Sequence, residues 1–287
     1  MGTAKGAFVK ILVTGGGGQL GLALQRQRGG HDLIACGRKE LDITNSARVA
    51  EVFAREQPAV VINCAAWTDV DACQSDPEKA MEVNGSAVSI LAHEASNVGA
   101  RLVQISTDYV FDGTKKEPYA ETDLPNPLSV YGKSKLLGES LAGPDALIVR
   151  TSWLMGPDAP NMLQTILGLL NGHDDLTFVD DQTGCPTFVD DLAAGLLRLV
   201  EARSTGIFHL TNADPVSWFA FAQEVAQAGG YDPKRVHAIA TSAFSPPRPA
   251  PRPVNSVLAN QSFVDAGFSP LRSHHKALTE NTSAYFN

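Results

Sequence analysis

The sequence predicts an α/β protein whose larger part is a doubly wound parallel sheet. Three observations support this prediction: short apolar runs recur in the first half, helical patterns separate them, and a glycine cluster follows the first run. Continuous apolar strands that alternate with helices are typical of a parallel sheet buried on both faces. Such sheets bind ligands beyond the carboxyl ends of their strands.

The first half of the chain supplies strands and helices in regular alternation. Apolar, β-rich runs predict strands at residues 9–13, 33–36, 60–63, 102–106 and 146–150. Helical patterns predict helices at 20–27, 44–56 and 77–97, with a further helix that opens at Tyr131. Thr44 or Ser46 is expected to cap the second helix, and Pro77 suits the first turn of the third.

The second half is less regular. It predicts helices at 162–170, 189–201 and 218–227 and strands at 176–179 and 206–210. Five prolines within residues 245–253 exclude a helix there and favour an extended surface loop. We expect the sheet domain to occupy residues 1–152 and a smaller α/β domain, built from several segments, to occupy 153–287. The helix near 189–202 is expected to pack back onto the sheet domain.

Composition excludes several classes of function. The 287 residues are 44% apolar and 19% charged, as in a globular protein with a sizeable core. The net charge of −8, without blocks of like charge, disfavours nucleic acid and anionic membranes as partners. No apolar run approaches the ~20 residues of a membrane span. The four cysteines form no CxxC pair, so we assign no metal ligands and expect a cytoplasmic protein with reduced thiols.

The glycine cluster indicates a dinucleotide site. Gly15, Gly18 and Gly21 form a GxxGxxG spacing between the first strand and helix. Glycine there permits a tight turn, lets backbone N–H groups approach a pyrophosphate and allows close packing of helix on strand. We therefore predict a Rossmann-type NAD(P)-binding domain, with Gln19 and Leu20 also at the cofactor. A glycine-rich turn without a ligand is the alternative; no Gly-Lys-Ser/Thr follows, which excludes a triphosphate loop.

The residue after the second strand bears on the choice between NADH and NADPH. An acid in that place binds a ribose hydroxyl, whereas a base accommodates a 2′-phosphate. Arg38 and Lys39 occupy it here, so we predict that NADPH is used at least as well as NADH, with Arg38 in contact. A solvated Arg-Lys turn is the alternative.

Four further residues are predicted around the same cofactor. Asp42 and Ile43 would lie beside the adenine, although Asp42 could instead help to cap the next helix. Ala65 and Ala66 follow the third strand, where their small side chains would let the backbone approach the cofactor.

Two stretches predict a site for carbonyl reduction. Tyr131 and Lys135 are four residues apart in a predicted helix and therefore share one face. A neighbouring ammonium stabilises phenolate, so Lys135 is expected to lower the Tyr131 pKa and make the phenol a better proton donor near neutral pH. Thr107, at the end of the fourth strand, could hold the carbonyl oxygen. A chance Tyr–Lys pair on a helix surface is the alternative.

These residues, in this order, resemble the extended short-chain dehydrogenase/reductase family, and within it the dTDP-4-dehydrorhamnose reductases. Six blocks spread along the chain carry the resemblance. They are Asn-Cys-Ala-Ala-Trp-Thr-Asp-Val-Asp at 63–71, Ser-Thr-Asp-Tyr-Val-Phe-Asp-Gly at 106–113, Val-Tyr-Gly-Lys-Ser-Lys at 130–135, Arg-Thr-Ser-Trp at 150–153, Asp-Gln-Thr-Gly-Cys-Pro-Thr at 181–187 and Arg-Pro-Val-Asn-Ser at 252–256.

The resemblance implies a reaction and roles for the residues. Hydride would pass from NADPH or NADH to the C4 ketone of dTDP-4-dehydro-L-rhamnose and give dTDP-L-rhamnose, a step in the synthesis of nucleotide sugars for cell-surface polysaccharides. Tyr131 would protonate the developing alkoxide, Lys135 would bind the nicotinamide ribose, and Thr107 would hold the carbonyl oxygen.

The resemblance also implies a substrate site. Asp108 and Tyr109 would contact the sugar, and Trp153 would pack against sugar or thymine unless it is simply a core residue. Arg252 would offset the charge of the diphosphate, because an anion needs a cation in so acidic a chain; a solvated Arg in the proline-rich loop is the alternative. The remaining candidates for the dTDP end are Asn161, Gln182 and Thr187.

Other functions of the same family remain open at this point. Where this chain has Thr107-Asp108-Tyr109, the dehydratases that it resembles have Thr-Asp-Glu. Their glutamate removes a proton during dehydration, and Tyr109 cannot act as that base. A dehydratase is therefore disfavoured, whereas another nucleotide-sugar 4-ketoreductase, a C4 epimerase or a non-catalytic regulatory relative is not. A homodimer is possible, but one bridged by a metal is in doubt, because residues 22–24 are Leu-Ala-Leu where similar enzymes carry an acid.

Overall fold

A computed structural model describes residues 8–172 and 175–285, with the side chains of the last helix described as far as residue 280. The strands in this part of the chain are β1 Lys10–Thr14, β2 Asp32–Cys36, β3 Val60–Asn63, β4 Arg101–Thr107, β5 Leu147–Thr151, β6 Leu154–Met155, β7 Leu176–Val179, β8 Thr183–Gly184, β9 Thr187–Phe188, β10 Gly206–His209, β11 Val216–Ser217 and β12 Val236–Ile239.

The α-helices in the same residues follow in chain order. They are α1 Gln19–Gln27, α2 Ser46–Glu56, α3 Val70–Ser75, α4 Pro77–Met81, α5 Ala87–Asn97, α6 Val130–Leu141, α7 Met162–Gly172, α8 Val189–Glu201, α9 Trp218–Ala228, α10 Gln261–Asp265 and α11 His274–Tyr285. None of the helices described is long and apolar enough to cross a membrane.

Six parallel strands form the central sheet in the order β2-β1-β3-β4-β5-β10. The strand order reverses between β1 and β3, since β2 lies on one side of β1 and every later strand lies on the other. A ligand crevice forms at such a reversal, beyond the carboxyl ends of the strands. The predicted doubly wound parallel sheet is confirmed.

Both faces of the sheet are covered, which explains the continuous apolar strands. Ile11 and Val13 of β1 face a cluster that includes α1 and α8, with Leu24 and Leu196 among its members. Leu12 points the other way, into a cluster with α2 and α5. Alternate residues of one strand therefore reach two separate apolar layers.

A third apolar cluster lies in the second half of the chain. It joins α7, α9 and β7 with the start of α11 through Ile166, Phe221, Leu176 and Ala277. The short strand pairs β7–β12, β8–β11 and β6–β9 contribute further members, among them Phe188, Val216 and Val236. The helix α8, by contrast, contributes its apolar residues to the layer that covers the central sheet.

Most predicted elements lie within two residues of their observed bounds, and the exceptions have identifiable causes. The segment predicted as one helix at 77–97 contains a five-residue π-helical turn, Glu82–Ser86, between α4 and α5. Neither Thr44 nor Ser46 caps α2: the side chain of Asn45 accepts the hydrogen bond from the Arg48 N–H. The strands β6, β8, β9, β11 and β12 and the helices α3, α10 and α11 were not predicted, because their sequences are short or carry no strong apolar period.

A buried ion pair fixes α6 against the sheet. The Arg150 guanidinium of β5 donates to both carboxylate oxygens of Glu139 on α6, at 2.8 and 2.7 Å. Ser106 of β4 donates to the same carboxylate at 2.5 Å. These side chains are buried, so each charge depends on the other for its solvation.

Replacing Arg150 with Met is expected to lower the free energy of unfolding by about 3–5 kcal/mol, because the Glu139 carboxylate would remain buried without a cation. Urea denaturation followed by circular dichroism measures the change. Lys10 and Glu56 form a partly exposed pair at 3.4 Å and provide the matched control. Lys10→Met should cost less than about 1 kcal/mol. Equal losses in the two variants would contradict the importance assigned to the buried pair.

Candidate active site

Four neighbouring strands deliver the predicted residues to one rim of the sheet. The glycine turn follows β1, Cys64 and Ala66 follow β3, Thr107 ends β4, and Trp153 follows β5. With Tyr131, Lys135 and Trp153 they line a cavity of about 420 Å³. The carboxyl-end rim expected from the sequence is therefore the place where these residues meet.

The glycine turn is shaped for close approach of a ligand to the backbone. Gly15 has φ +65°, and a Cβ built there would lie 2.7 Å from the backbone nitrogen of Ala65. The Gly18 N–H donates to the Gly15 carbonyl at 2.9 Å, and α1 begins at the next residue. No side chain caps α1, so the N–H groups of its first turn are free of side-chain partners.

The residues present fit a dinucleotide. A second cavity of about 410 Å³ shares Gly15, Gly18, Cys64 and Ala66 with the first, so the two form one groove beside the glycine turn. The buried Oε1 atom of Gln19 has no hydrogen-bond partner among the described residues. The groove runs from Lys135 and Tyr131, past the uncapped start of α1, to Arg38. Its extended form, with backbone donors near the middle, suits a pyrophosphate with a base at each end.

The far end of this groove contains the residues predicted for the adenine side. Arg38, Asp42, Ile43, Ala65 and Ala66 all line the second cavity. Arg38 has a side chain that is 79% exposed, with its Nε 3.6 Å from Asp42. It is therefore accessible to a ligand.

Asp42 also has a local structural role. Its Oδ1 accepts hydrogen bonds from the backbone N–H and the hydroxyl of Thr44, at 3.0 and 2.8 Å. These bonds, the backbone one first, hold the pKa of Asp42 below its ordinary value. Asp42 thus stabilises the turn before α2, while Asn45 caps the helix itself.

The helix α6 presents Tyr131 and Lys135 to the other end of the groove. Ser129 caps the helix by accepting from the Gly132 N–H at 3.2 Å. A Cβ at Gly132 would lie 2.1 Å from the Tyr109 carbonyl oxygen, so only glycine lets the first turn pack this closely. The buried Lys135 ammonium donates to the Ile105 carbonyl of β4 at 2.6 Å.

The titration behaviour of the pair differs from the sequence-based expectation. Burial raises the pKa of Tyr131 above its ordinary value, and a hydrogen bond with Thr107 offsets only part of this effect. Burial lowers the pKa of Lys135 to about 8, against the attraction of Glu139 and Cys64. The predicted lowering of the Tyr131 pKa by Lys135 is therefore wrong for this structure, because burial dominates. The phenol is protonated at neutral pH.

Thr107, Asp108 and Tyr109 form the wall between the groove and the second half of the chain. Thr107 donates its hydroxyl to Asp108 at 2.9 Å and accepts from the Tyr109 N–H at 3.2 Å. Burial raises the pKa of Asp108 to about 6. The Tyr109 ring meets the Tyr131 ring edge to face, with centroids 5.7 Å apart.

Tyr109 also borders a further cavity of about 550 Å³, where Gln182 and Arg252 lie. Gln182 donates to the Thr241 hydroxyl at 2.9 Å. Arg252 forms a two-pronged pair with Asp71 of α3, at 3.1 and 2.8 Å, which holds the proline-rich loop against α3. Four substrate-side candidates do not line the first cavity: Asn161, Gln182, Thr187 and Arg252. Two of them, Gln182 and Arg252, therefore share a cavity with Tyr109.

The other substrate-side candidates are placed differently. Trp153 lines the first cavity, has φ +46° and stacks on Trp218 with centroids 3.6 Å apart. Asn161 is not among the residues that line the cavities described, and its amide donates to the carbonyl groups of Gly156 and Ala159 at the start of α7. Thr187 is fully buried in β9 and likewise lines none of them. Asn161 and Thr187 hold local structure rather than face the groove.

Several residues of the site were not predicted from the sequence. Arg248 and Trp218 line the 550 Å³ cavity, and Asp71 anchors Arg252 there. Arg248 could have been found from its position in the same proline-rich loop as Arg252. Asn84 lies in the π-helical turn, where its amide bonds both backbone groups of Trp67 and the Ser134 hydroxyl of α6. No local pattern marks it.

The acids near the glycine helix are engaged by arginines. No residue of α1 carries a carboxylate. Arg26 of α1 donates to Asp190 at 2.8 Å, and Arg272 donates to Asp191 at 2.9 Å. The described acids on this face, Asp190 and Asp191, are therefore held in ion pairs with arginines.

Comparison with known proteins identifies the family. The model of the RmlD substrate binding domain matches residues 9–286. The dTDP-4-dehydrorhamnose reductase of Streptomyces griseus is 43% identical over 284 residues, which cover 95% of this chain and 93% of that protein.

Two crystal structures of dTDP-4-dehydrorhamnose reductases match this chain, each with a TM-score of 0.91. The Clostridium acetobutylicum protein has 43% identity, with 94% of this chain and 97% of that chain covered. The Bacillus anthracis protein, in complex with NADP, has 33% identity, with 95% and 98% covered. The chain belongs to the RmlD family of dTDP-4-dehydrorhamnose reductases.

Proposed function

We propose that this protein reduces the C4 ketone of dTDP-4-dehydro-L-rhamnose to dTDP-L-rhamnose, with NADPH or NADH as the reductant. The observation that carries the proposal is the buried pair of Tyr131 and Lys135 at one end of a groove whose middle is the glycine turn. The family to which the chain belongs supplies the substrate class.

The protonated Tyr131 phenol is the proton donor in this proposal. When bound in the groove, the reduced nicotinamide supplies a hydride to the ketone carbon, and negative charge develops on the ketone oxygen. An alkoxide is a much stronger base than a phenolate, so a phenol whose pKa is raised by burial can still protonate it. The buried cavity also fixes the phenol in place, so little reorganisation is needed at the moment of transfer.

Lys135 has two roles that follow from its position. Its ammonium lies one helical turn from Tyr131, where it would offset the charge left on the phenolate. Its remaining N–H groups, beyond the one given to Ile105, are available for the ribose hydroxyls next to the nicotinamide. The first role requires the charged form of the amine, and the hydrogen bonds of the second are stronger with it.

Thr107 would orient the ketone oxygen, in competition with its own neighbour. The Thr107 hydroxyl donates to Asp108. It must therefore rotate away from Asp108 before it can donate the same hydrogen to a ketone oxygen. A substrate that makes this bond is held at the end of β4, next to Tyr131. Asp108 and Tyr109 would contact the sugar from the same turn.

The diphosphate and base of the nucleotide would occupy the 550 Å³ cavity between Tyr109 and the proline-rich loop. Arg252 and Arg248 line that cavity and provide positive charge in an acidic protein. Arg252 is already paired with Asp71, so Arg248 is the more available cation. Trp153 lines the first cavity, Trp218 stacks on it and lines this one, and Tyr109 borders both.

Tyr131→Phe is expected to lower kcat by about 10²–10⁴-fold, because the proton donor is lost while the ring is kept. The measurement is NADPH oxidation with dTDP-4-dehydrorhamnose, compared with other dTDP-4-ketosugars. Affinity for NADPH, measured by fluorescence, should change little. Comparable turnover in wild type and variant would overturn the assignment. Purified protein that retains stoichiometric NAD through turnover would instead indicate an epimerase.

NADPH affinity is expected to fall as the pH rises through about 8, because Lys135 is charged below its lowered pKa and neutral above it. Losing a charge-assisted hydrogen bond should weaken binding about five- to tenfold. Binding titrations between about pH 6.5 and 9.5 measure this effect. Lys135→Arg, which stays charged, should remove the pH dependence. Lys135→Met should show the weak, high-pH affinity throughout. Parallel pH profiles in wild type and Lys135→Arg would exclude Lys135 as the titrating group.

Arg38→Ala is expected to raise the Michaelis constant for NADPH by about tenfold while that for NADH changes little, because only NADPH carries the 2′-phosphate. Steady-state kinetics with each cofactor measure both constants. Lys39→Ala, the neighbouring substitution, serves as the control. An unchanged NADPH constant in Arg38→Ala would reject the predicted contact.

A further inference from the structure

The helices α9 and α11 bring three potential metal ligands together outside the groove. They are Glu224 of α9 and His274 and His275, the first two residues of α11. One atom from each residue lies within 4.8 Å of the other two. None of the three lines the cavities described above, so the group belongs to neither the cofactor groove nor the substrate cavity.

The hydrogen bonds of His274 determine which of its nitrogens is available. His274 is fully buried, and its Nδ1 lies 3.2 Å from the Ala213 carbonyl oxygen. A carbonyl oxygen can only accept, so Nδ1 carries the hydrogen. In the neutral ring Nε2 therefore presents a lone pair. Metal-binding histidines are commonly held in this way, with the other ring nitrogen bonded to a backbone carbonyl.

The lone pair of His274 points at a carboxylate oxygen. Its Nε2 is 2.9 Å from Glu224 Oε2, and the Nδ1 of His275 is also 2.9 Å from that oxygen. A carboxylate oxygen and a bare ring nitrogen repel at such a distance unless a cation lies between them. The contact between His274 and Glu224 therefore calls for a cation between the two atoms, either a proton or a metal ion.

The neighbouring basic side chains do not supply that cation. Arg272 bonds Asp191 and Glu280, and Lys276 lies 3.8 Å from Glu280. In the described part of the chain, the ion pairs of Glu224 are those with the two imidazoles. The His275 side chain is 56% exposed, so an ion can reach the group from solvent.

We propose that Glu224, His274 and His275 bind a transition-metal dication. Two imidazoles and one carboxylate are a ligand set for zinc and its neighbours in the first transition row. With bonds of about 2.1 Å, neighbouring ligand atoms on one ion lie about 3.0–3.4 Å apart, so the two nitrogen–oxygen distances of 2.9 Å need to lengthen only a little to admit the ion. The remaining positions take water. A bound metal would link the start of α11 to α9 beside the third apolar cluster, which contains Phe221. It would therefore stabilise the second half of the chain.

Calorimetric titration of the untagged full-length protein with zinc chloride, near neutral pH in a non-coordinating buffer, tests the proposal. His275→Ala and Glu224→Gln alter partly exposed side chains, so both variants should fold; His274 is too buried for a clean test. Each is expected to weaken zinc binding by at least about tenfold. Zinc at 100-fold its Kd should raise the Tm of wild type by about 5 °C, and much less in the variants.

His237→Ala is the matched control. His237 and Asp175 form an exposed imidazole–carboxylate pair at 3.0 Å with two ligands instead of three. Its loss should leave the zinc affinity and the thermal shift unchanged. The d–d absorption of bound cobalt should likewise persist in His237→Ala and disappear in Glu224→Gln. Equal zinc affinity in wild type, His275→Ala and Glu224→Gln would overturn the proposal, as would a loss confined to His237→Ala.

Discussion

Parallel pairing of the strands is the constraint on which the site depends. Because β1, β3, β4 and β5 run in one direction, their carboxyl ends meet along a single edge. The glycine turn, the small residues after β3 and Thr107 are far apart in sequence and adjacent only there. The reversal of strand order between β1 and β3 opens the crevice at this edge. A shift of one strand by a single residue would turn its rim residues to the opposite face.

The second requirement is a fixed position for α6. The buried Glu139–Arg150 pair links α6 to β5. Glu139 lies four residues after Lys135 on the same helix. Asn84 holds it from the side through Ser134, with the π-helical turn that places its amide there. These polar contacts are satisfied and buried, so they fix the helix in one orientation. The result is a protonated phenol and a low-pKa ammonium on one face, both set by burial more than by each other.

The second half of the chain builds a separate surface around the same site. Its apolar cluster supports Trp218, which stacks on Trp153, and its proline-rich loop is held by the Arg252–Asp71 pair. The Arg252–Asp71 contact joins residues from opposite halves of the chain. The acidic protein thus gathers Arg248 and Arg252 beside one cavity without a basic stretch in its sequence.

The sequence by itself determined the sheet, the glycine turn and the Tyr131–Lys135 helix face, because strand period, glycine spacing and helical spacing are local patterns. It also placed Arg38 and Thr107 at strand ends. Tertiary structure decided the rest. Burial raises the Tyr131 pKa, whereas helix geometry alone predicted a lower value. Asn161 and Thr187 donate hydrogen bonds to nearby backbone carbonyl groups, those of Gly156 and Cys185. Asn84 and the Glu224–His274–His275 group depend on contacts between distant segments, which carry no signal in the local sequence.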